Sequence, residues 1–318
     1  MRLTVIFSMM AILVLFQTSF SETKAASNKP LSGTITLSGA WALYPMVVKW
    51  AEEFRKINPE VKIDVAAGGA GKGIADALNG QADLGMVSRD LNPAEVEKGA
   101  WAIPVTKDAV VPVCNVNNPV WNTLKKNGMT KEQFTRIWMD SAISNWGAII
   151  KGAKNTLNVY TRSDACGAAE TWAKYMGIGQ EDLLGVGVYG DPGLAEAVLR
   201  DVNGIGYNNV NYAYDATTKK AIQGLTVVPI DVNGNGKLDE AENFYHSRET
   251  LLKAIAEGRY PSPPARNLLL VSKGKPASPI VTAFLKWIVV EGQVFVPEAG
   301  FVPLSKETLD KAVASLGK

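Results

Sequence analysis

Short apolar runs alternate with stretches of helical periodicity along the chain from residue 31 onward. Each apolar run of four to eight residues is bounded by glycine or asparagine, as in a buried strand, and each helical stretch repeats its apolar residues at a spacing of three or four. The predicted elements are, in order, strand Thr34–Ala40, helix Met46–Ile57, strand Val61–Ala67, helix Ile74–Asn79 and strand Ala82–Ser88. This alternation predicts an α/β fold.

Two β-rich runs far apart in the sequence, Ala109–Val116 and Asn267–Ser272, are each able to carry the chain between two domains. The chain has 318 residues, of which 47% are hydrophobic, and this exceeds the usual single core of about 100–150 residues. We therefore expect a discontinuous domain I, residues 31–110 plus 268–318, with domain II, residues 111–267, inserted between its two parts.

The N-terminus has the pattern of an export signal. A basic start at Arg2 is followed by the apolar run Val5–Phe16 and then by small and polar residues. This run is too short to span a bilayer, and the pattern predicts a signal peptide over residues 1–25, cleaved after Ala25 or after Ser21. A retained membrane anchor is the alternative. With the signal removed, the protein is expected in the periplasm.

Charge and composition exclude several functions. Lys and Arg number 33 against 31 Asp and Glu, a net charge of +2, so no bulk positive field recruits nucleic acid. One histidine, His246, and two cysteines cannot build the common four-ligand zinc sites. Cys166 lies at a predicted helix start, where the pKa of a thiol is lowered, but nothing in the sequence places a base beside it and no paired carboxylates stand out. We therefore expect no enzymatic activity. Cys114 and Cys166 could instead form one disulfide.

Three glycine-containing turns, Gly39–Pro45, Gly68–Gly73 and Asp164–Ala168, lie where strands are followed by helices. Free amides at a helix N-terminus form an anion site without net positive charge. Arg89 and Arg162 lie near two of these turns, and a guanidinium grips an oxyanion with two parallel hydrogen bonds. Any one turn can equally be a tight connection and nothing more; three together favour an anion pocket that both arginines face.

The second turn is not a nucleotide phosphate loop. That motif needs Gly, four residues and then Gly-Lys followed by Ser or Thr. Here Ala66 occupies the first position and Gly73 follows Lys72, so both ends fail.

At these turns the sequence resembles the periplasmic phosphate-binding proteins, the substrate-capturing subunits of ATP-driven phosphate importers. The resemblance rests on the ordered segments SGAWALYP, GGAGKGI, ADLGMVSRDL, ISNWGAI, TRSDACGAAETW, NGIGYNNV and EGQVFVPEAGFVPL. It implies a type II periplasmic-binding-protein fold, in which two mixed β-sheets flanked by helices are joined by two hinge strands. It also implies a small anion in the cleft, partner subunits of an ABC importer and a monomeric protein.

The resemblance assigns the ligand contacts to backbone and side-chain groups of ten residues. They are Ala42, Leu43, Gly69, Ala70, Ser88, Arg89, Arg162, Cys166, Gly167 and Ala168. The family places Ser or Thr hydroxyls at several of these positions, whereas this chain has Ala70, Cys166 and Ala168. Each hydrogen bond to a charged group contributes about 1.5–3 kcal/mol. The ligand is therefore phosphate or a related oxyanion, or else a partly apolar or organic anion. A periplasmic interaction or scaffold protein is the further alternative.

An acidic 12-residue segment, residues 231–242, has the ligand pattern of an EF-hand loop. Glycine holds position six, where the sharp turn is required, and oxygen ligands fall at positions one, three, five, seven, nine and twelve. The predicted metal ligands are Asp231, Asn233, Asn235, the carbonyl of Lys237, Asp239 and Glu242. A solvated polar hairpin is the alternative. Because a strand over 225–230 precedes the loop and a helix over 244–257 follows it, we expect one structural calcium rather than a sensor pair.

Overall fold

The structure is a computed structural model that describes residues 30–317. The predicted signal peptide, residues 1–25, lies outside the described residues. Between residues 30 and 317 no helix is both long enough and apolar enough to cross a membrane.

Nine strands and ten α-helices alternate along the described residues. The strands are β1 (Gly33–Gly39), β2 (Val61–Ala67), β3 (Leu84–Val87), β4 (Ala100–Asn115), β5 (Asn158–Arg162), β6 (Val186–Val188), β7 (Gly204–Asn209), β8 (Leu225–Val227) and β9 (Ala265–Lys273). The helices are α1 (Tyr44–Ile57), α2 (Ala70–Leu78), α3 (Pro93–Glu97), α4 (Trp121–Asn127), α5 (Lys131–Met139), α6 (Gly167–Met176), α7 (Gly190–Arg200), α8 (Arg248–Ala256), α9 (Pro279–Val289) and α10 (Lys306–Leu316).

The strands form one continuous mixed sheet in the order β2-β1-β3-β9-β4-β7-β5-β6, and β8 pairs with β4 beside this path. Strand β1 runs parallel to β2 and β3, and β5 runs parallel to β6 and β7. The central strands β9 and β4 pair antiparallel with their neighbours. The predicted α/β class with mixed sheets flanked by helices is confirmed.

Strand β4 connects the two parts of the sheet. Its first part, Ala100–Ala109, pairs with β9, and its second part, Val110–Asn115, pairs with β7 and β8. Lys107 and Asp108 interrupt the apolar pattern of this strand, so the sequence indicated a strand only from residue 109. The ladder with β9 extends it back to Ala100, because backbone pairing does not depend on the side chains at those positions.

Two separate groups of buried apolar side chains pack on this sheet. One surrounds Trp50 and Phe284 on α1 and α9, and the other surrounds Trp138, Trp172 and Tyr207. Helix α1 shows how such packing arises, since its apolar stripe is buried while the Trp50 indole donates to the Gly292 carbonyl at 2.8 Å. The assignment of residues 31–110 with 268–318, and of 111–267, to separate domains stays a prediction.

Candidate functional site

The N-terminus of α6 lies directly against the end of β3. Cys166 caps this helix, and its Sγ accepts a hydrogen bond from the Ala169 amide at 3.4 Å. The amides of Gly167 and Ala168 lie in the first turn, where N–H groups have no acceptor within the helix. A Cβ atom on Gly167 would clash with the Ser88 hydroxyl. Glycine at this position therefore permits the close approach between Ser88 and the helix.

The N-terminus of α2 meets the same region. Gly69 caps α2 with a φ of +90°, a conformation that favours glycine, and its amide donates to the Gly39 carbonyl at 3.0 Å. Ala70 is fully buried. The Gly71 amide donates to the Ala165 carbonyl at 3.3 Å, just before α6 begins. The two predicted anion turns are therefore brought together at Ala165, although they are nearly a hundred residues apart in sequence.

The turn before α1 contacts Tyr212 and Tyr189 through Trp41. Ala42 and Leu43 are buried, and the Leu43 amide closes the turn by donating to the Ala40 carbonyl at 3.1 Å. The Trp41 carbonyl accepts a hydrogen bond from the Tyr212 hydroxyl at 3.2 Å. The Trp41 ring lies edge-on to the Tyr189 ring, with 6.3 Å between their centroids. Trp41 thus joins the two sides of the predicted cleft.

Arg162 is buried at the end of β5 and is held by two carboxylates. Its Nε and Nη2 donate to Asp164 at 2.8 and 2.6 Å, and its Nη1 donates to Asp191 at 2.8 Å. Burial alone would lower the pKa of this guanidinium, but the carboxylates of Asp191 and Asp164 more than reverse that effect and raise it. Arg162 is therefore permanently charged, and its remaining N–H groups are oriented by two fixed acids.

Arg89 points to a different set of partners. Its Nη1 and Nη2 form a bidentate pair with Glu95 at 2.8 and 2.6 Å, and its Nε lies 2.7 Å from Glu170 on α6. These contacts, led by the hydrogen bonds to Glu95, raise the pKa of Arg89 above its ordinary value despite partial burial.

The two arginines line neighbouring cavities rather than one. Arg162 lines a cavity of about 860 Å³ and Arg89 a smaller one of about 370 Å³, and Asp90, Glu170 and Lys174 border both. This placement differs from the expectation that both guanidinium groups face a common pocket. The physical reason is charge pairing, because Glu95 on α3 and Glu170 on α6 hold the Arg89 guanidinium at the smaller cavity.

Four further polar residues complete this region and were not predicted from the sequence. Arg266 on β9 donates through Nε to the Ser88 carbonyl at 2.8 Å and through Nη2 to the Asn209 side chain. The Asn209 amide donates in turn to Asp191. Asp108 on β4 lies opposite Arg266 in the strand ladder. Each of these contacts joins residues far apart in sequence, so no local pattern could have indicated them.

Both cysteine thiols are free and buried. Burial raises the pKa of Cys166 to about 12, although Arg162 opposes this effect, and burial raises the pKa of Cys114 to about 12 as well. The expectation that the pKa of Cys166 is lowered was wrong, because loss of solvation outweighs the charge of Arg162 and the hydrogen bond from the Ala169 amide. The disulfide considered between them is not formed: Cys114 lies within β4, and Cys166 is engaged as the cap of α6.

The acidic loop 231–242 is closed by its own backbone. Asp231 accepts from the amides of Gly234 and Gly236 at 2.8 Å, and Glu242 accepts from Val232 and Asn233 at 2.9 and 3.1 Å. Asparagine side chains at 233 and 235 both donate to Asp239. In residues 30–317 no group of three or more His, Cys, Asp or Glu side chains is arranged to hold a metal ion.

The flanking elements of this loop are shorter than predicted. Strand β8 ends at Val227 instead of residue 230, and helix α8 begins at Arg248 instead of residue 244. A short 3₁₀ turn, Glu240–Glu242, lies within the loop itself.

Comparison with known proteins places this chain among solute-binding proteins. A family model described as a PBP superfamily domain matches residues 24–291. The phosphate-binding protein PstS of Pseudomonas aeruginosa is 25% identical over 316 residues, covering 90% of this chain and 88% of the relative. The phosphate-binding protein PstS of Bacillus subtilis is 28% identical over 239 residues, covering 74% and 70%.

Solved structures share the fold. A putative phosphate ABC transporter substrate-binding protein with bound phosphate from Clostridium perfringens superposes with a TM-score of 0.69 at 22% identity, covering 86% of this chain and all of the other. An ABC-type phosphate transport receptor from Vibrio cholerae superposes with a TM-score of 0.61 at 19% identity, covering 84% and 99%.

Proposed function

The chain belongs to the PBP superfamily of periplasmic binding proteins, and on this premise we propose that it captures a small oxyanion and delivers it to an ATP-driven importer. The resemblance to the phosphate-binding proteins is confirmed by relatives that cover 90% and 74% of the chain. This family consists of solute-binding proteins and not of enzymes, in agreement with the sequence-based expectation. Residues 1–25 would direct export to the periplasm.

The observation that carries this proposal is the meeting of two helix N-termini beside a buried guanidinium. The first-turn amides of α6 lie against Ser88, the start of α2 touches Ala165, and Arg162 is fixed between Asp164 and Asp191. Such amides carry partial positive charge, so an anion is stabilised there without a net positive field. The proposed contacts are these amides, the Ser88 hydroxyl and the N–H groups of Arg162 that do not bond to Asp164 or Asp191.

The identity of the oxyanion follows less directly. Ala70 and Ala168 are buried and supply no hydroxyl, so a phosphate would rely on backbone amides and on Arg162. Phosphate is the first candidate because the relatives carry its name. An anion with an apolar part is the second candidate, because the Trp41 ring lies at the predicted cleft beside Tyr189.

Calorimetry on the mature protein tests the proposal. Inorganic phosphate, arsenate, sulfate, molybdate and a small organic phosphate are titrated in turn. We expect at least one anion to bind. Arg162→Lys should lower the affinity for that anion by about tenfold to a hundredfold, because Lys cannot replace a guanidinium fixed by two acids.

Arg200→Lys is the matched control, since Arg200 is exposed on α7 and, among the described residues, forms an ion pair only with Glu196. It should bind the anion as the wild type does. Absence of binding by every anion would contradict the proposal and would favour an interaction protein that retains the fold.

We also propose that the loop 231–242 binds one structural calcium ion. Its oxygen ligands are of the type that calcium prefers, and the flanking carboxylates of Asp231 and Glu242 are only 3% and 7% exposed. Hydrogen bonds from Asn233, Lys237 and Asn235 lower the pKa of Asp239 to about 2, so that side chain is ionised at neutral pH.

The donor set fits calcium if the loop adjusts. Asp239 now accepts hydrogen bonds from two asparagine amides, and these side chains would have to rotate so that their oxygens face the ion. Rotation of exposed side chains costs little, and the Asp231 and Glu242 carboxylates already lie within the same loop. When bound, calcium would offset two of the three negative charges of these carboxylates and fix the loop.

A further inference from the structure

A recess of about 370 Å³ opens beside α6, apart from the helix N-termini of the candidate site. Four cationic side chains line it, from the end of β3, from β4, from α6 and from β9. They are Arg89, Lys107, Lys174 and Arg266, and only two carboxylates, Asp90 and Glu170, accompany them. The recess is therefore a local concentration of positive charge in a chain whose net charge is close to zero.

Arg266 is the buried member of this group, with an exposed fraction of 8%. Its hydrogen bonds go to the neutral oxygens of Ser88 and Asn209, and its Nη1 has no acceptor. Within residues 30–317 no carboxylate lies within ion-pair distance of it, although Asp108 faces it across the ladder. Burial lowers its pKa against the opposing influence of Asp108 and Asp191. The charge of Arg266 is thus met only by neutral acceptors within hydrogen-bond distance, and an anion in the recess that it lines would compensate this charge.

Lys107 is the second cation without a partner. Its backbone pairs with Val302, and no ion pair involves its side chain in the part of the chain that the structure describes. The other two cations are already paired, because Lys174 meets the exposed carboxylate of Asp90 and Arg89 pairs with both Glu95 and Glu170. A multivalent anion in the recess would therefore meet at least two uncompensated positive charges.

We propose that this recess binds a small multivalent oxyanion at a position separate from the helix N-termini of the candidate site. The anion accepts hydrogen bonds from the guanidinium of Arg266 and lies beside the ammonium of Lys107. Because Arg266 also holds the Ser88 carbonyl, binding in the recess fixes the strand end that carries Ser88. The recess thus provides a second anion position on the same molecule, coupled to the first through Arg266.

Lysine footprinting tests this proposal residue by residue. The full mature chain is acetylated in the presence and absence of inorganic pyrophosphate, and the rate at each lysine is measured by mass spectrometry. We expect pyrophosphate to slow the acetylation of Lys107 several-fold and to leave Lys273 unchanged. Lys273 lies on the same strand pair, outside the recess and in no ion pair among the described residues. Equal rates at Lys107 with and without pyrophosphate would overturn the proposal.

The same experiment on Arg162→Lys separates the recess from the cleft site. Protection of Lys107 should persist in this variant, whereas protection lost with Arg162 would show that pyrophosphate binds only in the cleft and would overturn the recess. If the proposed cleft function is wrong, the outcome is different: Arg162→Lys then has no effect on anion binding in calorimetry, while pyrophosphate still protects Lys107.

Charge-reversal variants measure how much Lys107 contributes to the affinity for pyrophosphate. Lys107→Glu should weaken pyrophosphate binding by about tenfold or more, since a charge-assisted contact is replaced by repulsion, and Lys107→Arg should retain binding. Lys273→Glu changes the net charge by the same amount and is expected to bind as the wild type does. An equal loss in both Glu variants would indicate a general field effect and would contradict a site in the recess.

Discussion

Asp108 and Arg266 face each other across β4 and β9, yet their side chains form no hydrogen bond with each other. Both carboxylate oxygens of Asp108 and Nη1 of Arg266 lack hydrogen-bond partners, and the amides of Ala109 and Val210 approach Asp108 without meeting hydrogen-bond geometry. Burial raises the pKa of Asp108 to about 7, with Arg266 opposing the shift and Asp191 adding to it. The side chain is therefore a proton-binding group at the junction of the two parts of the sheet.

This raised pKa predicts a pH-dependent stability. Between about pH 4 and pH 7 the unfolded chain releases the proton of Asp108 while the folded chain keeps it. The stability due to the protonated side chain is thus complete below about pH 4 and is lost as the pH rises through 7. We expect Asp108→Asn, which cannot ionise, to gain stability over the wild type in this range by up to about 1.4 kcal/mol per pH unit.

Urea unfolding at pH 5 and pH 8 measures this difference. Asp310→Asn serves as the control, because Asp310 is exposed on α10 and its one ion pair within residues 30–317 is with Lys306. The stability difference between this variant and the wild type should not change with pH. A constant difference between wild type and Asp108→Asn at the two pH values would rule out a raised pKa at this site.

Single residues also set the limit of what the sequence predicts about the site. Ser88, Arg162 and Gly167 were identified from local motifs, and the structure brings Ser88 and Gly167 into contact. The partners that decide the charge of Arg162 were not identified. Asp191 lies 29 residues away, and its contact depends on how α7 packs against β5. Local motifs indicate which groups are present, whereas tertiary packing determines which charges are compensated.

At the scale of elements, the acidic loop gives the clearest prediction. If loop 231–242 binds calcium, a calcium concentration about one hundred times Kd stabilises the folded chain by about 2.7 kcal/mol. This corresponds to a rise in Tm of about 5 °C for a chain of this size. We expect this rise in calcium relative to chelator for the wild type. Glu242→Gln, which removes the carboxylate at position twelve, should have the same Tm in calcium and in chelator.

The control for this prediction lies in the same 3₁₀ turn. Glu240 is exposed and occupies no ligand position, so Glu240→Gln should retain the full response to calcium. Identical melting of the wild-type protein in calcium and in chelator would dismiss the site and leave the loop as a solvated hairpin.

Element boundaries show why sequence patterns were sufficient for the fold but not for its details. The strands and helices up to Val87 follow the predicted order, because each apolar run had enough residues to define its periodicity. Helix α2 begins at Ala70 rather than residue 74, since the glycines of the turn adopt helical geometry once they pack against Ala165. Glycine-rich segments carry little local preference, so only tertiary contact determines where such a helix begins.

At the scale of the whole molecule, two crossed ion pairs connect the end of β3 to α6. Arg89 contacts Glu170, and the next residue, Asp90, contacts Lys174 one helical turn further along. The first pair is the less exposed of the two, since the side chains of Arg89 and Glu170 are 11% and 47% exposed, against 62% and 85% for Lys174 and Asp90. Exposed pairs contribute about 0–1 kcal/mol. The Arg89–Glu170 pair therefore carries most of this connection, together with the contact between Trp41 and Tyr212.

These connections tie the end of β3 to α6 and the turn before α1 to Tyr212, and this has a consequence for anion capture. A binding protein that closes on its ligand derives its response from the difference in stability between open and closed forms. If Glu170 stabilises the closed form, Glu170→Gln should shift the population toward the open form. We expect a larger radius of gyration by small-angle scattering in the absence of anion, and recovery of the wild-type value on addition of the anion that binds.

The matched control is Glu196→Gln, which breaks an exposed pair with Arg200 within α7 and connects no separate elements. Its radius of gyration should equal that of the wild type with and without anion. An unchanged radius for Glu170→Gln would show that the ion pair does not decide closure. In that case the Trp41 contacts and the strand pairing of β4 with β9 would hold the molecule closed, and anion binding would have to act within an already closed cleft.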